Sequence, residues 1–216
     1  MEKPITIYGA AGFGSVPVEA ALTLIGLPYE VVELAPESLA TDSALAAVNP
    51  MRQTPAMLFP GGELMTESAA ILIWLADRYP EAGLAPPILH RKRVAFLRWM
   101  SFVSSAIYAL YWIRDDPSRL IADPEEQKAV RARIADRIAE CWAIMEAQVE
   151  PGLYLQGDTL GVLDLYVTVL SRWGPRRKRF YDVAPKMAEV VRRVDAEPSL
   201  EAFWAERFPF TDGWEG

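Results

Sequence analysis

Residues 49–57 have the sequence Asn-Pro-Met-Arg-Gln-Thr-Pro-Ala-Met, and further along the chain reads Thr66-Glu67-Ser68-Ala69-Ala70-Ile71. Between these motifs, two short apolar segments flank a Pro60-Gly61-Gly62 turn, a pattern typical of a β-hairpin. The apolar run over residues 69–76 then predicts a helix. This stretch therefore has the predicted order strand, strand, helix.

The residues before this stretch add a strand–helix–strand unit. Residues 5–8 and 30–34 are short apolar segments that predict strands. Between them, residues 17–26 carry apolar side chains at helical spacing and end in Gly26, a typical residue after a helix. The Ala-rich segment 36–48 is interpreted as a helix or an irregular turn. The order βαβ followed by ββα predicts a small mixed sheet with helices packed on its faces.

The second half of the chain predicts helices and no convincing strand. Residues 91–114 and 124–149 each carry an apolar stripe at helical spacing, which is the pattern of a helix that buries one face. Shorter helices are predicted at about 162–173, 185–195 and 199–206. This half therefore resembles a helical bundle.

The Pro-rich segment 80–87 separates the two patterns. We expect an α/β domain over residues 1–80, a linker over residues 81–90 and an all-helical domain over residues 91–216. The length of 216 residues permits two small domains and is sufficient to bury a core without disulfides or metals.

Composition argues against several classes of protein. The chain has 51% hydrophobic and 24% charged residues, which is ordinary for a globular protein. With Cys141 and His90 as its single cysteine and histidine, it has no intramolecular disulfide, and we expect no metal site. A net charge of −7 argues against nucleic acid or an anionic membrane as the main partner. The basic cluster 176–179 is interpreted as a solvated loop.

Localisation is predicted from what the N-terminus and the apolar runs lack. The first residues lead directly into a predicted strand, without the basic-then-apolar pattern of a signal peptide. No apolar run seen in the sequence approaches the ~20 residues that span a bilayer. The single cysteine fits a reducing compartment. We therefore expect a cytoplasmic protein that does not enter a membrane.

Together, these motifs resemble the cytosolic glutathione transferases, and the bacterial members in particular. The family pattern runs N-P-x-x-Q-(V/T)-P-x-L, a turn, (E/Q)-S-x-A-I and a helix that ends in Tyr-Pro, as Tyr79-Pro80 does here. Residues 157–164, Gly-Asp-Thr-Leu-Gly-Val-Leu-Asp, are similar to the family's G-D-x-x-(S/T)-x-A-D stretch, although Gly161 replaces the usual Ser or Thr. The resemblance covers nearly the whole chain. It implies a thioredoxin-like N-terminal domain, an all-α helical-bundle C-terminal domain and a homodimer.

The resemblance also implies glutathione as co-substrate, and the motif around Pro55 suits this ligand. A cis Thr54–Pro55 bond would turn the Thr54 N–H and C=O outward, where the cysteinyl backbone of glutathione can pair with them. The alternative is an ordinary proline at the edge of a sheet. Residues 1–80 hold three Lys and Arg against nine Asp and Glu, so anionic glutathione needs a local donor. Arg52, next to Gln53, is the candidate for the glycyl carboxylate, the alternative being a surface arginine.

Glu67 and Ser68 lie where a helix is predicted to begin. The free N–H groups and the positive dipole end of a helix N-terminus favour an anion there. The resemblance assigns the γ-glutamyl carboxylate of glutathione to Ser68 and the helix amides, and its ammonium group to Glu67. Without a ligand, the same residues would be read as a helix cap with an acidic first turn.

The thiol of glutathione reacts as a thiolate, so the family supplies a hydrogen-bond donor to the sulfur from the loop after the first strand. Ser15-Val16-Pro17 resembles the S-x-P of serine-type members, which makes Ser15 the candidate catalytic residue. Tyr8 is the alternative, since tyrosine-type members place their donor at the end of this strand. Ser15 would otherwise only cap the first helix. Gly14 stands where some bacterial relatives have a cysteine.

The predicted electrophile pocket lies between the domains, against the first long helix of the second half. Tyr108 and Trp112 are four residues apart and share one helical face, and an aromatic wall suits a flat or hydrophobic electrophile. The alternative for both side chains is bundle core or a dimer contact.

The resulting interpretation is a glutathione transferase that activates the thiolate for attack on a small hydrophobic electrophile. Two alternatives remain open. One is a non-catalytic binding or scaffolding protein with the same fold, suggested by the unusual Gly-rich loop at residues 9–14. The other is a specialised glutathione-dependent lyase or dehalogenase.

Overall fold

The computed structural model describes residues 4–35, 37, 39, 41–174, 176–211 and 213–215. Within these residues the first half of the chain contains, in order, β1 (Ile5–Gly9), α1 (Val16–Ile25), β2 (Tyr29–Glu33), α2 (Ser43–Val48), β3 (Ala56–Leu58), β4 (Leu64–Thr66) and α3 (Ser68–Arg78). The sheet has the order β2-β1-β3-β4, in which β1 and β2 are parallel and the other two pairs are antiparallel. This mixed sheet confirms the predicted α/β half.

Local sequence explains where these elements begin and end. Pro17 lies in the first turn of α1, where its missing N–H costs no hydrogen bond, and α1 ends at Gly26 with a left-handed φ of 79°. The turn at residues 60–62 joins β3 to β4, as predicted. In the segment 36–48, α2 accounts for the second part, with Asp42 capping its start. Pro36, Ser38 and Ala40 lie outside the described residues.

The second half is helical, as predicted. α4 (Arg93–Phe102), a π-helical turn (Val103–Tyr108) and α5 (Ala109–Asp115) follow one another without a break. After them come α6 (Pro124–Glu146), α7 (Val162–Arg172), α8 (Arg177–Val183), α9 (Pro185–Asp195) and α10 (Glu201–Arg207). Every residue of α7 is buried, so α7 is the central helix of the bundle. The boundary near residue 80 stays a prediction, and residues 83–92 form turns and irregular backbone.

In the sequence we found no apolar run close to the length that spans a bilayer, but the continuous helix Arg93–Asp115 reaches that length. By length and composition alone it could cross a bilayer, with a mean hydropathy of 1.3 over an 18-residue window. Arg98 divides the apolar residues of this helix into two shorter runs, so no single run in the sequence reaches the ~20 residues that span a bilayer. One face of the helix packs in the core, through Phe96, Trp99, Met100, Val103 and Ile107. A third of that window is buried, so packing in the bundle accounts for the apolar residues of this one face.

The interpretation of residues 176–179 as a solvated loop is wrong. Arg177 begins α8 and its side chain is fully buried. Its guanidinium pairs with Asp195 at 2.7 Å and donates to the Thr168 carbonyl at 2.9 Å. The sequence pattern does not reveal this burial because Asp195, the partner of Arg177, lies 18 residues away on α9.

Gly161, noted above as a departure from the family pattern, has a steric explanation. A Cβ at this position would lie 2.8 Å from the Leu84 carbonyl oxygen, which also accepts the Val162 N–H. The start of α7 is held instead by Asp164, whose carboxylate accepts the N–H groups of Gly161 and Leu155, each at 2.8 Å. Burial raises the pKa of the Asp164 carboxyl to about 7, although the hydrogen bonds from Leu155 and Gly161 act to lower it.

Arg207, the last residue of α10, joins the two halves of the chain. Its guanidinium forms ion pairs with Glu19 of α1 and Glu33 of β2. The Glu19 side chain is fully buried, whereas Glu33 is 53% exposed. Because a buried carboxylate has no water to solvate it, Glu19 depends on Arg207 for its charge to be tolerated.

We expect Arg207→Met to lower the free energy of unfolding by about 3–5 kcal/mol, because it leaves the Glu19 carboxylate buried and unpaired. Urea unfolding of both proteins measures the difference. The double variant Arg207→Met/Glu19→Gln should recover most of the loss. Glu33→Gln is the matched control, with a loss of about 1 kcal/mol or less because that pair is half-exposed. A loss this small in Arg207→Met itself would contradict the assigned role.

Candidate active site

A cavity of about 1070 Å³ lies between the sheet half and the helical half. From the sheet half it is lined mainly by Gly12, Phe13, Gly14, Asn49, Met51, Arg52, Gln53, Thr54, Pro55, Glu67 and Ser68. From the helical half it is lined by Ser104, Tyr108, Tyr111, Trp112, Arg114, Asp115, Asp116, Arg119 and Trp173. The cavity therefore brings together every glutathione-binding and electrophile-pocket residue predicted from the sequence, but not Ser15 or Tyr8.

The loop before β3 forms one wall of the cavity and is braced by Asn49. The Asn49 amide donates to the Gln53 carbonyl at 2.8 Å, and its oxygen accepts the Met51 N–H at 3.1 Å. The Thr54–Pro55 peptide bond is cis, as predicted. The Thr54 carbonyl accepts the Tyr108 hydroxyl at 3.1 Å, a contact that the sequence did not reveal.

The start of α3 forms a second wall. Ser68 is buried, and its hydroxyl lies 2.9 Å from the hydroxyl of Tyr166 on α7. Glu67 precedes the helix and makes no capping hydrogen bond with its side chain. The first N–H groups of α3 have no partner within the helix, so this wall presents hydrogen-bond donors beside a carboxylate.

Arg52 and Glu67 share two features. Both have positive φ angles, 51° and 67°, which non-glycine residues adopt uncommonly. Within the described part of the chain, neither side chain forms an ion pair or a hydrogen bond. A cation and an anion thus line the same cavity without a protein partner among the described residues, an arrangement that suits a ligand with both charges.

The loop after β1 does not present Ser15 to the cavity. Ser15 is fully buried, and its hydroxyl is bonded to the backbone of Ala10, at 3.3 Å from the N–H and 3.4 Å from the carbonyl. It makes no side-chain cap to α1 either. Tyr8 is half-buried within β1 and is not among the cavity residues. Neither position of a predicted thiol donor therefore faces the cavity in this structure.

Aromatic side chains form the wall opposite the loop. Tyr108 and Trp112 both line the cavity, as expected from their spacing, with Tyr111 between them. The Trp173 ring packs edge-on against Tyr108 and Tyr111, with centroids 5.1 and 5.0 Å apart. The Trp173 indole also donates to the Gly12 carbonyl at 2.8 Å, which ties the loop after β1 to this wall.

Sequence reasoning missed several polar residues of the cavity. Arg114 pairs with Asp115 at 3.2 Å and Arg119 with Asp116 at 3.5 Å, so the outer end of the pocket is charged as well as aromatic. Burial raises the pKa of the Asp115 carboxyl, whereas the positive charge and hydrogen bond of Arg114 act to lower it. The clustering of four charged residues after an apolar helix was visible in the sequence and could have indicated this pocket.

Comparison with known proteins supports one family. Residues 7–78 match the family profile described as glutathione S-transferase, N-terminal domain. The chain is 30% identical over 199 residues to an uncharacterized GST-like protein, YncG, of Escherichia coli K12, covering 91% of this chain and 95% of the relative. It is 25% identical over 171 residues to glutathione S-transferase GstA of Escherichia coli O157:H7, covering 79% and 81%. The chain belongs to the glutathione S-transferase family.

A solved structure shows that the fold is shared along almost the full length. A glutathione transferase homologue from Sulfitobacter, with bound glutathione, superposes with a TM-score of 0.83 at 23% identity, over 94% of this chain and 97% of that one. At this level of identity the similarity shows the thioredoxin-like fold with its helical domain. It leaves the chemistry to be argued from the residues of this chain.

Asn49→Ala should weaken glutathione binding about fivefold, because the loop that carries Arg52 to Thr54 loses both of its side-chain hydrogen bonds. Isothermal titration calorimetry measures the dissociation constant. Asn49→Asp is the companion variant: it keeps an acceptor for the Met51 N–H, but it loses the donor to Gln53 and sets a negative charge against the Gln53 carbonyl, so it should weaken binding at least as much as Asn49→Ala. Unchanged affinity in Asn49→Ala would show that the loop needs no brace.

Proposed function

We propose that this protein is a glutathione transferase that activates the glutathione thiolate for attack on a small hydrophobic electrophile. The observation that carries the proposal is the cavity itself, which is lined by Arg52 and Glu67, both without a partner among the described residues, and by the aromatic side chains of Tyr108 and Trp112. A tripeptide fills only part of about 1070 Å³, so room remains for a second substrate.

Within this proposal, the binding residues divide the charges of glutathione among them. Arg52 takes the glycyl carboxylate, with Gln53 beside it, as a charge-assisted hydrogen bond. Ser68 and the N–H groups at the start of α3 take the γ-glutamyl carboxylate, and Glu67 takes the ammonium group. The Thr54 backbone, next to the cis bond to Pro55, pairs with the cysteinyl residue.

The proposed enzyme acts in the cytoplasm as a homodimer, with no metal. The dimer is the arrangement implied by family membership. Among the described residues, no group of three or more His, Cys, Asp or Glu is placed to hold a metal ion. The chemistry proposed here needs none, because the nucleophile is the sulfur of the co-substrate.

Thermal unfolding with and without millimolar glutathione tests the binding part of the proposal. A ligand at ~100-fold over its dissociation constant stabilises the native state by about 2.7 kcal/mol, which raises Tm by several degrees at this chain length. The variant Glu67→Ala/Ser68→Ala should lose that shift. Glu63→Ala, an exposed glutamate in the turn before β4, is the matched control and should keep it. No shift in the wild-type protein would contradict glutathione binding.

A non-catalytic binding or scaffolding protein is the second candidate, and one observation favours it. The cavity-lining residues of the loop after β1 are Gly12, Phe13 and Gly14, none of which has a side-chain donor.

The charged outer pocket, with Arg114 and Arg119, would instead suit a specialised lyase or dehalogenase that acts on one polar metabolite.

Turnover of 1-chloro-2,4-dinitrobenzene with glutathione separates these candidates. The transferase proposal predicts a rate clearly above the uncatalysed reaction, since lowering the thiol pKa raises the thiolate fraction at neutral pH. Glutathione binding with no such rate would favour the scaffolding protein. A rate only with a charged halogenated or sulfur-containing substrate would favour the specialised enzyme.

A further inference from the structure

Tyr108 occupies the space that a side chain on the loop after β1 would fill. A Cβ built on Gly14 would lie 1.7 Å from the Tyr108 hydroxyl oxygen and 2.9 Å from the Thr54 carbonyl oxygen. Glycine at position 14 is therefore required for Tyr108 to reach this point. The hydroxyl comes from the end of the π-helical turn in the helical half, and it arrives where the loop itself offers no side-chain donor.

Resting on the proposed function, we propose that the Tyr108 hydroxyl is the group that hydrogen-bonds the glutathione sulfur. It would replace a donor from the loop, where Ser15 is turned toward Ala10. The proposal adds a catalytic residue from the helical half to a site whose binding residues all come from the sheet half.

The Thr54 carbonyl places the sulfur near this hydroxyl. In the structure that carbonyl accepts the Tyr108 hydroxyl at 3.1 Å. When the cysteinyl N–H of glutathione donates to the same carbonyl, the ligand supplies the hydrogen bond that Tyr108 had made. The cysteinyl sulfur is bonded to Cβ, the second carbon from that nitrogen. The O–H bond of Tyr108 can therefore rotate to donate to the sulfur.

The surroundings of Tyr108 keep it a donor. Burial raises the pKa of Tyr108 well above its ordinary value, and the facing Tyr166, Glu67 and Asp115 raise it further. The hydroxyl thus remains protonated at neutral pH and cannot accept the thiol proton. The S–H proton leaves to solvent, the Tyr108 hydroxyl donates to the resulting thiolate, and a sulfur lone pair forms the S–C bond while the leaving group departs with its bonding electrons.

Neighbouring rings restrict the Tyr108 ring and so fix the position of its hydroxyl oxygen, while the O–H bond can still rotate. It packs edge-on against Tyr166 at 6.1 Å and Trp173 at 5.1 Å between centroids. Since Trp173 also donates to the Gly12 carbonyl, the loop after β1 and the Tyr108 ring contact the same indole. Arg52 and Arg114, which also line the cavity, contribute positive charge near the site but no hydrogen bond to Tyr108.

The test is the pKa of the thiol of bound glutathione, followed by the ultraviolet absorbance of the thiolate as pH is varied. Tyr108→Phe keeps the ring and removes the donor. We expect it to raise the bound thiol pKa by about one unit, which lowers the thiolate fraction at neutral pH about tenfold. The kcat should fall in proportion while KM for glutathione changes less than about twofold.

Gly14→Ala is the second variant, since its methyl group displaces the hydroxyl while Tyr108 remains, and it should raise the thiol pKa in the same way. Tyr29→Phe, which removes a tyrosine hydroxyl on β2 that is bonded to Thr23, is the matched control. It should leave the thiol pKa unchanged.

Each opposite result has a separate meaning. A wild-type protein that binds glutathione by calorimetry but leaves its thiol pKa near the free value overturns this assignment and leaves the binding function standing. A raised pKa in Ser15→Ala with none in Tyr108→Phe returns the role to Ser15. An unchanged pKa in Tyr108→Phe and Gly14→Ala assigns the thiolate to backbone N–H groups. A wild-type protein that binds no glutathione overturns both this assignment and the proposed function.

Discussion

The close approach of the Gly12–Gly14 loop to the helical half is the constraint on which the site depends. Trp173 holds the loop through the Gly12 carbonyl, and the Gly12 N–H donates to the Arg207 carbonyl at 2.8 Å. Gly14 lies directly under the Tyr108 hydroxyl, where no Cβ fits. The two glycines are needed for different reasons: position 14 has no room for a side chain, and Gly12 has a φ of 77°, which residues with a side chain rarely adopt.

The charges around that cavity follow from the same closure. Arg207 neutralises the buried Glu19 at the far side of the loop, and Arg114 and Arg119 each face an adjacent aspartate. Arg52 and Glu67, by contrast, stay unpaired on strained backbone. Both side chains are exposed and make no ion pair or hydrogen bond within the part of the chain that the structure describes, so a ligand of matching charge can reach them.

Sequence patterns predicted the parts of this structure that depend on neighbouring residues. The strands, the helices and the binding loop with its cis proline are encoded in short segments, because spacing, turns and caps act over a few residues. The orientation of Ser15, the burial of Arg177 and the reach of Tyr108 were not predictable in this way. Arg177 and Tyr108 depend on residues far along the chain, since Arg177 meets Asp195 across 18 residues and Tyr108 meets Thr54 across 54. The Ser15 hydroxyl meets Ala10 only five residues away, but that contact depends on the path of the loop after β1, which Trp173 holds through Gly12 across 161 residues.

This division bears on how the family relationship should be read. The motifs that assign the chain to the glutathione S-transferases are local ones, and they describe how a tripeptide is held. In the proposed assignment, the donor to the sulfur is set by packing between the halves, because glycine at position 14 leaves room for a hydroxyl from the helical half. Family membership then follows from the local motifs, whereas the proposed catalytic group depends on a contact between the halves. The chemistry of such a chain has to be argued from its cavity, residue by residue.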